Sequence, residues 1–331
     1  MRSGAVVSED KLLLLGEVAQ LYYVGDFTQA RIARRFGVSR SNVSRMLKEA
    51  RDLGLVEVKV HSPFGVVSGL QEEIRTSLGL RECLVLATSG RRAPGDIGAF
   101  GARYMRDVIS DGDVVGVGWS SAVNQVVSSG HLREKSGVTV VQLIGSLGGA
   151  VPDLDGTSIT TGLARALGAS THLLQAPILV ADAAVRDGLL RDRHIAKTLE
   201  MARRADVTMV GVGTIDRNSG QYRAGYLDDE DLEYIWERGV VGEICGSYFS
   251  LDGSPVSLEM NGRTIGLSFE ELVRIPRRVG AGWGMNKAQA NVGAARSSLI
   301  NVLITDEDTA REMLDILNGE QTNKAKPGAT R

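Results

Sequence analysis

The feature that most constrains the fold is an alternation of short apolar runs with helical patterns, which starts near Leu70 and continues through most of the chain. The runs are continuously apolar and rich in β-branched residues, as is typical of strands that are buried on both faces of a parallel sheet. We therefore predict an α/β domain with a Rossmann-like parallel sheet, whose strands are 83–86, 114–117, 138–144, 171–174, 207–212, 277–280 and 299–305. The helices predicted between the strands are 97–109, 122–128, 158–167, 182–190, 195–204, 229–237, 287–297 and 306–317.

The first part of the chain has a different pattern, which predicts a helix-turn-helix within residues 28–53. Thr28 can cap a first helix that ends at Gly37, and Ser39 can cap a second helix. Apolar residues of the second helix recur at helical spacing and so predict its inner face. The opposite face carries short polar and long cationic side chains, as a helix in the major groove of DNA requires, namely Ser41, Ser44, Arg45 and Lys48.

Positive charge is concentrated in this stretch, although the net charge of the whole chain is only -2. Residues 28–51 contain seven arginines and lysines against one acid, Glu49. This excess suits a polyphosphate, because each neutralised phosphate releases a counterion. The alternative is an amphipathic hairpin whose cations only face solvent, but the caps, the glycine turn and the polar face all favour DNA binding. The residues predicted to contact DNA are Thr28, Gln29, Arg40, Ser41, Asn42, Ser44, Arg45 and Lys48.

The same patterns divide the chain into regions. A helix over 11–23 completes a three-helix unit, and an alternating run over 55–60 predicts a short wing. Polar and proline-containing stretches then mark a linker and a tail. The predicted regions are a helix-turn-helix DNA-binding domain at 1–60, a linker at 61–68, an effector-binding domain at 69–318 and a disordered tail at 319–331.

Glycine- and hydroxyl-rich loops follow four of the predicted strands, at 116–121, 145–149, 211–214 and 280–284. In an open parallel sheet, ligands bind beyond the carboxyl ends of the strands, where backbone N–H groups and helix N-termini attract anions. The loops therefore predict one cleft for a polar or phosphorylated small molecule. Tight turns would explain each loop taken alone, and the near-match to a dinucleotide-binding fingerprint at 116–121 lacks the third glycine.

Signals for catalysis and for metal binding are weak. His131, His172 and His194 have no nucleophile at a recognisable spacing, and no two carboxylates form an evident acid–base pair. Cys83 and Cys245 stand in apolar surroundings without a nearby histidine, so we expect buried, reduced thiols and no metal site. No apolar run approaches the roughly 20 residues of a membrane span. We expect a cytoplasmic protein that needs no cofactor and is not an enzyme.

Short motifs in a fixed order lie at 29–33, 38–45, 116–119, 142–145, 176–177, 211–213, 239–244 and 301–307. Together they resemble the SorC/DeoR-type family of sugar-responsive bacterial transcription regulators, which is named after the sorbose operon regulator. The resemblance covers nearly the whole chain. It implies that the α/β domain has a fold like that of glucosamine-6-phosphate isomerase and serves as a sensor.

The resemblance also implies roles for single residues. Ser120 and Ser121 fall where the family holds a phosphate or sugar oxygen, Glu243 where an acid accepts sugar hydroxyls, and Lys287 where a cation meets the anion. With the loop residues added, the predicted effector contacts are Gly118, Trp119, Ser120, Ser121, Gly145, Gly213, Glu243 and Lys287.

Two departures from the family bear on the pocket. Trp283 lies where the family has a small residue, so the shape of the site is expected to differ. Some relatives are thought to form a Schiff base through a lysine of the sheet domain, but this chain has no lysine between Lys135 and Lys197. We therefore expect the effector to bind noncovalently.

We predict a transcription regulator of a carbohydrate catabolic operon that binds double-stranded operator DNA and responds to a sugar, sugar alcohol or sugar phosphate. A homodimer or homotetramer is expected, because one recognition helix reads few base pairs. The alternatives are a sugar-phosphate isomerase or deaminase with an accessory helical domain, and a dinucleotide-binding redox sensor.

Overall fold

The structure is a computed structural model that describes residues 9–56, 67–88, 96–148, 151 and 155–324. The chain divides into two compact units, Met1–Ser62 and Pro63–Arg331. Most of the predicted wing and most of the predicted linker lie outside the described residues.

The smaller unit contains three helices, α1 (Glu9–Tyr23), α2 (Gln29–Phe36) and α3 (Arg40–Asp52). Each helix contributes one apolar face to a shared core, as the helical spacing of the sequence predicts. The buried residues of this core are Leu15, Val18, Ala19, Ile32, Ala33, Val43, Leu47 and Ala50.

The ends of α2 and α3 follow from local side-chain chemistry. The hydroxyl of Thr28 accepts a hydrogen bond from the backbone N–H of Arg31 and caps α2. Gly37 ends α2 in the left-handed conformation, with a φ of 65° that a residue with a side chain rarely adopts. The hydroxyl of Ser39 then caps α3. The predicted helix-turn-helix is confirmed.

The larger unit contains the strands β1 (Glu82–Leu86), β2 (Val114–Val117), β3 (Thr139–Gln142), β4 (Ser170–His172), β5 (Val207–Gly211), β6 (Val240–Ile244), β7 (Ser247–Ser250), β8 (Arg277–Ala281) and β9 (Val302–Asp306). Seven of them form one parallel sheet in the order β1-β9-β8-β5-β2-β3-β4. The other two, β6 and β7, form a separate antiparallel hairpin. The predicted parallel sheet is confirmed.

Helices connect these strands. They are α4 (Ser68–Leu78), α5 (Asp96–Val108), α6 (Ser121–Ser128), α7 (Gly156–Leu167), α8 (Ala183–Leu190), α9 (Arg193–Arg203), α10 (Gly220–Arg223), α11 (Asp229–Glu237), α12 (Phe269–Leu272), α13 (Ala288–Arg296) and α14 (Glu307–Lys324). Short 3-10 helices lie at Glu259–Arg263 and Met285–Lys287.

Both faces of the central strands of the parallel sheet are buried, which explains why these strands are largely apolar. On β3, Val140 packs into the core of one face, and its neighbour Val141 packs into the core of the other. On β9, Val302 and Leu303 are divided in the same way. Because alternate side chains point to opposite faces, a strand covered on both sides cannot show polar alternation.

Every predicted strand and helix of the α/β domain has a counterpart, with ends that differ by a few residues. The sequence patterns did not predict α4, α10, α12 or the β6–β7 hairpin. A disordered tail was predicted to start at residue 319, whereas α14 continues to Lys324. Within the described residues, no helix combines the length and the apolar character needed to cross a membrane.

Candidate functional site

The polar face of α3 is exposed in the smaller unit. Val43 and Leu47 point into the core, and the other side of the helix presents Ser41, Ser44, Arg45 and Lys48 to solvent. Of the remaining predicted DNA contacts, Thr28 and Arg40 are exposed, and Gln29 and Asn42 are partly buried. The structure thus places the predicted residues on α3 and at the N-terminus of α2.

Hydrogen bonds on this face pre-position its longest side chain. The guanidinium of Arg45 donates through Nη2 to Oδ1 of Asn42 at 2.9 Å, one helical turn earlier. The hydroxyls of Ser39 and Ser41 lie 2.8 Å apart. Holding a guanidinium in place lowers the conformational entropy that it loses on binding, and it leaves the other donors of the fork free.

The only acid of the 28–51 stretch is already neutralised. Glu49 forms an ion pair with Lys11 of α1. In the part of the chain that the structure describes, Arg40, Arg45 and Lys48 make no ion pair with an acid. This surface therefore keeps its positive charge available for a polyanion.

In the larger unit, a cavity of about 220 Å³ lies at the carboxyl ends of the central strands. We call it the first cavity. The loop after β2 and the first residue of α6 contribute Gly118–Ser121, and the end of β5 with the loop after it contributes Gly211–Ile215. The β6–β7 hairpin contributes Glu243, Cys245 and Tyr248, and the residues before α13 contribute Asn286 and Lys287. Seven of the eight predicted effector contacts line this space.

Gly145 is the exception among the predicted contacts. It lies behind the wall, where its carbonyl accepts a hydrogen bond from the indole Nε1 of Trp119 at 2.9 Å. A Cβ on Gly145 would lie 2.3 Å from the carbonyl oxygen of Pro177, so close packing requires the glycine. The loop at 280–284 also stays outside the lining, and Trp283 packs against the apolar core.

Two glycines of the lining make room for side chains of the site. A Cβ on Gly213 would lie 2.3 Å from Oε1 of Glu243, and a Cβ on Gly211 would lie 2.2 Å from Oγ of Ser120. The hydroxyl of Ser120 caps α6 by accepting from the N–H of Val123 at 3.0 Å. The N-terminus of α6, which begins at the lining residue Ser121, therefore faces the cavity and favours an anion there.

Glu243 and Lys287 provide opposite charges at the base of the cavity. Burial raises the pKa of the Glu243 carboxyl, while the N–H of Gly246 and the charge of Lys287 act in the opposite direction. Burial lowers the pKa of the Lys287 ammonium, against the opposing charges of Glu243 and Asp216. Oε2 of Glu243 accepts from the Gly246 N–H at 2.9 Å, and Nζ of Lys287 donates to the carbonyl of Val212 at 2.7 Å. Each group keeps hydrogen-bonding capacity for a polar ligand.

The segment before and within α10 supplies lining residues that the sequence analysis missed. Asn218, Gln221 and Arg223 line the first cavity, and Tyr248 donates its phenolic hydrogen bond to Oε1 of Gln221 at 2.9 Å. This segment has no helical or strand periodicity long enough to place it, and only its packing over the cavity reveals it. Arg223 adds a second cation to the lining.

The described residues contain no group of His, Cys, Asp and Glu side chains that could hold a metal ion. Cys83 and Cys245 are both buried free thiols, and burial raises the pKa of Cys83 to about 12. Neither sulfur is therefore activated as a thiolate nucleophile.

Comparison with known proteins identifies both units. Residues 62–315 match the family model Sugar-bind, described as "Putative sugar-binding domain", and residues 18–63 match the model of the MarR family. The deoxyribonucleoside regulator of Bacillus subtilis (strain 168) is 31% identical over 314 residues, which span 94% of this chain and 100% of that protein. The sorbitol operon regulator of Klebsiella pneumoniae is 28% identical over 312 residues, which span 93% and 99%.

Solved structures agree with these relatives. The crystal structure of the full-length sorbitol operon regulator SorC from Klebsiella pneumoniae has a TM-score of 0.70 at 28% identity, and the match covers 92% of this chain and 100% of that chain. A DeoR family transcriptional regulator from Listeria monocytogenes has a TM-score of 0.68 at 27% identity, with coverage of 74% and 98%. The chain therefore belongs to the SorC/DeoR-type family of transcriptional regulators, which combine a helix-turn-helix with a sugar-binding domain.

Proposed function

We propose that this regulator binds operator DNA through α3 and that a sugar phosphate in the first cavity changes its affinity for that DNA. The observation that carries the proposal is the charge of the cavity. Lys287 and Arg223 line it together with one acid, Glu243, so the lining carries two formal positive charges and one negative charge. A cavity with this excess attracts an anion.

The remaining lining suits the sugar part of the effector. Glu243 accepts hydrogen bonds from hydroxyl groups, and Trp119 offers an indole that its bond to Gly145 holds in place. The N-terminus of α6 at Ser120 and Ser121 receives the phosphate, because unpaired N–H groups and the helix dipole both favour negative charge. Lys287 and Arg223 then complete the neutralisation of the phosphate.

The exposed polar face of α3 binds the DNA. Ser41, Ser44 and Arg45 reach base edges in the major groove, while Arg40 and Lys48 contact phosphates. Thr28, Gln29 and Asn42 lie at or near the helix ends and support this contact. The regulator acts in the cytoplasm as a homodimer or homotetramer, because a single short helix reads too few base pairs for operator selectivity. Light scattering coupled to size-exclusion chromatography measures that state.

The effector is bound and released unchanged. Glu243 and Lys287 act as hydrogen-bonding groups of a binding site, as the roles of the named relatives suggest. NMR spectra of sugar phosphates incubated with the protein should show no isomerised or deaminated product. Appearance of such a product would favour the enzyme alternative.

The proposal is tested by gel mobility shift on the DNA upstream of the protein's own gene. Sugar phosphates that change the shift for the wild type should have little effect on Lys287→Ala, because loss of one partner of a buried charge contact costs about 2–5 kcal/mol of binding. Operator binding without effector should remain. Lys197→Ala, at an exposed position on α9, is the matched control and should respond like the wild type. A normal response of Lys287→Ala would instead indicate a neutral sugar.

A further inference from the structure

The larger unit contains a second cavity that the proposed function does not use. It has a volume of about 590 Å³, within the range of about 300–1,000 Å³ that is usual for small-molecule sites. Helices α8 and α9, the turn of the β6–β7 hairpin and residues 255–271 form its walls. Among the described residues, it shares only Cys245 and Tyr248 with the first cavity, so the hairpin lies between the two spaces.

The two arginines of the second cavity are already paired with carboxylates. Arg186 donates through Nε and Nη2 to Oδ1 of Asp187 at 2.9 and 2.7 Å. Arg203 donates through Nε to Oε1 of Glu271 at 2.5 Å. Glu270 lies at the exposed rim and accepts from the hydroxyl of Ser268. The arginines are thus neutralised by their neighbours, in contrast to the excess of cations in the first cavity.

The rest of the lining combines hydroxyl groups with apolar surface. Ser247 is only 5% exposed, and its hydroxyl makes no hydrogen bond within the described part of the chain. Ser257 adds a hydroxyl at the rim, and Leu190, Leu267 and the ring of Phe269 supply apolar walls. The hydroxyl oxygen of Ser247 is not fully enclosed by protein atoms, so it can donate or accept a hydrogen bond with a molecule in the cavity. This lining fits an uncharged molecule that carries both hydroxyl groups and C–H faces.

We propose that the second cavity is a separate binding site for an uncharged monosaccharide or polyol. The hydroxyl of Ser247 hydrogen-bonds the ligand from the buried end, and Phe269 with the leucines covers its apolar face. This inference does not rest on the proposed function, because it concerns different residues and a different ligand charge.

The hairpin turn links the two sites. The backbone N–H of Gly246 donates to Glu243 of the first cavity, and the carbonyl of Gly246 accepts from Nδ2 of Asn261, which lines the second cavity, at 2.8 Å. Tyr248 lies in the shared wall and bonds to Gln221 of the first cavity. A ligand in the second cavity therefore contacts the same turn that holds Glu243.

The test uses three matched serine-to-tryptophan variants of the full-length protein. Ser257→Trp fills the second cavity, Ser121→Trp fills the mouth of the first, and Ser77→Trp changes an exposed position of α4 that lines neither. The probes are D-sorbitol, D-ribose and D-glucose, measured by saturation-transfer NMR. At least one neutral probe should bind the wild type, Ser77→Trp and Ser121→Trp, and its signal should be lost in Ser257→Trp.

Ser247→Ala gives a second measurement that does not depend on a bulky side chain. It removes only the hydroxyl and should weaken the neutral probe several-fold while the melting temperature stays near that of the wild type. Binding of a neutral probe that survives in Ser257→Trp but is lost in Ser121→Trp would overturn the proposal. A wild-type protein that binds none of the three neutral probes would also overturn it. Preference of the second cavity for ribose 5-phosphate over D-ribose would overturn it as well. None of these results depends on whether the first cavity binds a sugar phosphate.

Discussion

At the scale of single residues, the carboxyl group of Glu243 makes stability depend on pH. Burial raises its pKa above the ordinary value of 4.5, so the folded protein holds this proton more tightly than the unfolded chain does. The resulting contribution to the free energy of unfolding is present below the unfolded pKa and is lost as pH rises through the folded pKa.

Glu243→Gln removes this titration. The variant should therefore gain stability relative to the wild type as pH is raised from about 4 to about 7. Urea unfolding at each pH measures the difference. Glu200→Gln, at an exposed position on α9, is the control. A difference between Glu243→Gln and the wild type that stays constant over this range would contradict the assignment of the buried carboxyl.

Arg45 carries the most specific prediction for DNA recognition. Asn42 holds its guanidinium in place, and the exposed face leaves donors for a guanine edge. Arg45→Ala should cost about 1–3 kcal/mol of operator binding and should relax the preference for one base pair. Mobility shifts on operators with single base-pair substitutions measure both effects. Lys48 is proposed to contact a DNA phosphate, so Lys48→Ala should weaken binding to all DNA sequences equally. The same uniform loss for Arg45→Ala would indicate that Arg45 contacts the DNA phosphate backbone and not a base.

At the scale of elements, the β6–β7 hairpin decides the geometry of the first cavity. Its two-residue turn places Cys245 at a φ of 50° and Gly246 at a φ of 74°, and both values lie in the left-handed region. Such a turn matches the twist of the two strands, and glycine is favoured at its second position. The turn brings the Gly246 N–H onto the carboxylate of Glu243.

Gly246→Ala should therefore destabilise the protein by about 1–2 kcal/mol, because a side chain in the left-handed region is strained. A Cβ at this position would also lie 2.8 Å from Cγ2 of Thr264. Gly188→Ala is the matched control: Gly188 lies inside α8, where a Cβ meets nothing within 4 Å. That change should stabilise the protein by up to about 1 kcal/mol. Denaturant midpoints measure both, and equal effects of the two changes would contradict the turn geometry.

At the scale of the whole molecule, regulation requires coupling free energy between binding sites. An effector shifts DNA binding only by its difference in affinity for the DNA-competent and the DNA-incompetent states. The second cavity would add a further input, because its ligand packs against the turn that positions Glu243. Stabilising that turn lowers the cost of ordering the first cavity.

A neutral sugar that fills the second cavity should tighten binding of the sugar phosphate in the first cavity by about fivefold, at the lower end of typical coupling energies. Calorimetric titrations of the sugar phosphate with and without the neutral sugar measure this factor. Reciprocity requires the sugar phosphate to tighten the neutral sugar by the same factor. Ser257→Trp should remove the effect, and an unchanged dissociation constant in the wild type would show that the turn does not transmit binding.

The types and the order of most helices and strands follow from local sequence patterns. The caps at Thr28 and Ser39 and the left-handed position at Gly37 are local, because each depends on residues within one helical turn. The apolar strands revealed the parallel sheet, since burial of both faces leaves no polar alternation. The predicted position of the effector site, at the carboxyl ends of those strands, is where the first cavity lies. Seven of the eight predicted effector contacts line it.

Packing between segments that are distant in the chain completes the site, and local patterns do not predict it. Gly145 does not line the first cavity, because it packs closely against the backbone of Pro177. Arg223 lines the cavity because the non-periodic segment that contains it packs over the sheet. Tyr248 lines the cavity because it lies on the β6–β7 hairpin, whose turn is formed by Cys245 and Gly246. The second cavity lies between α8, α9 and that same turn. Local patterns determine an element from its own residues, whereas a cavity depends on packing between segments that lie far apart in the chain.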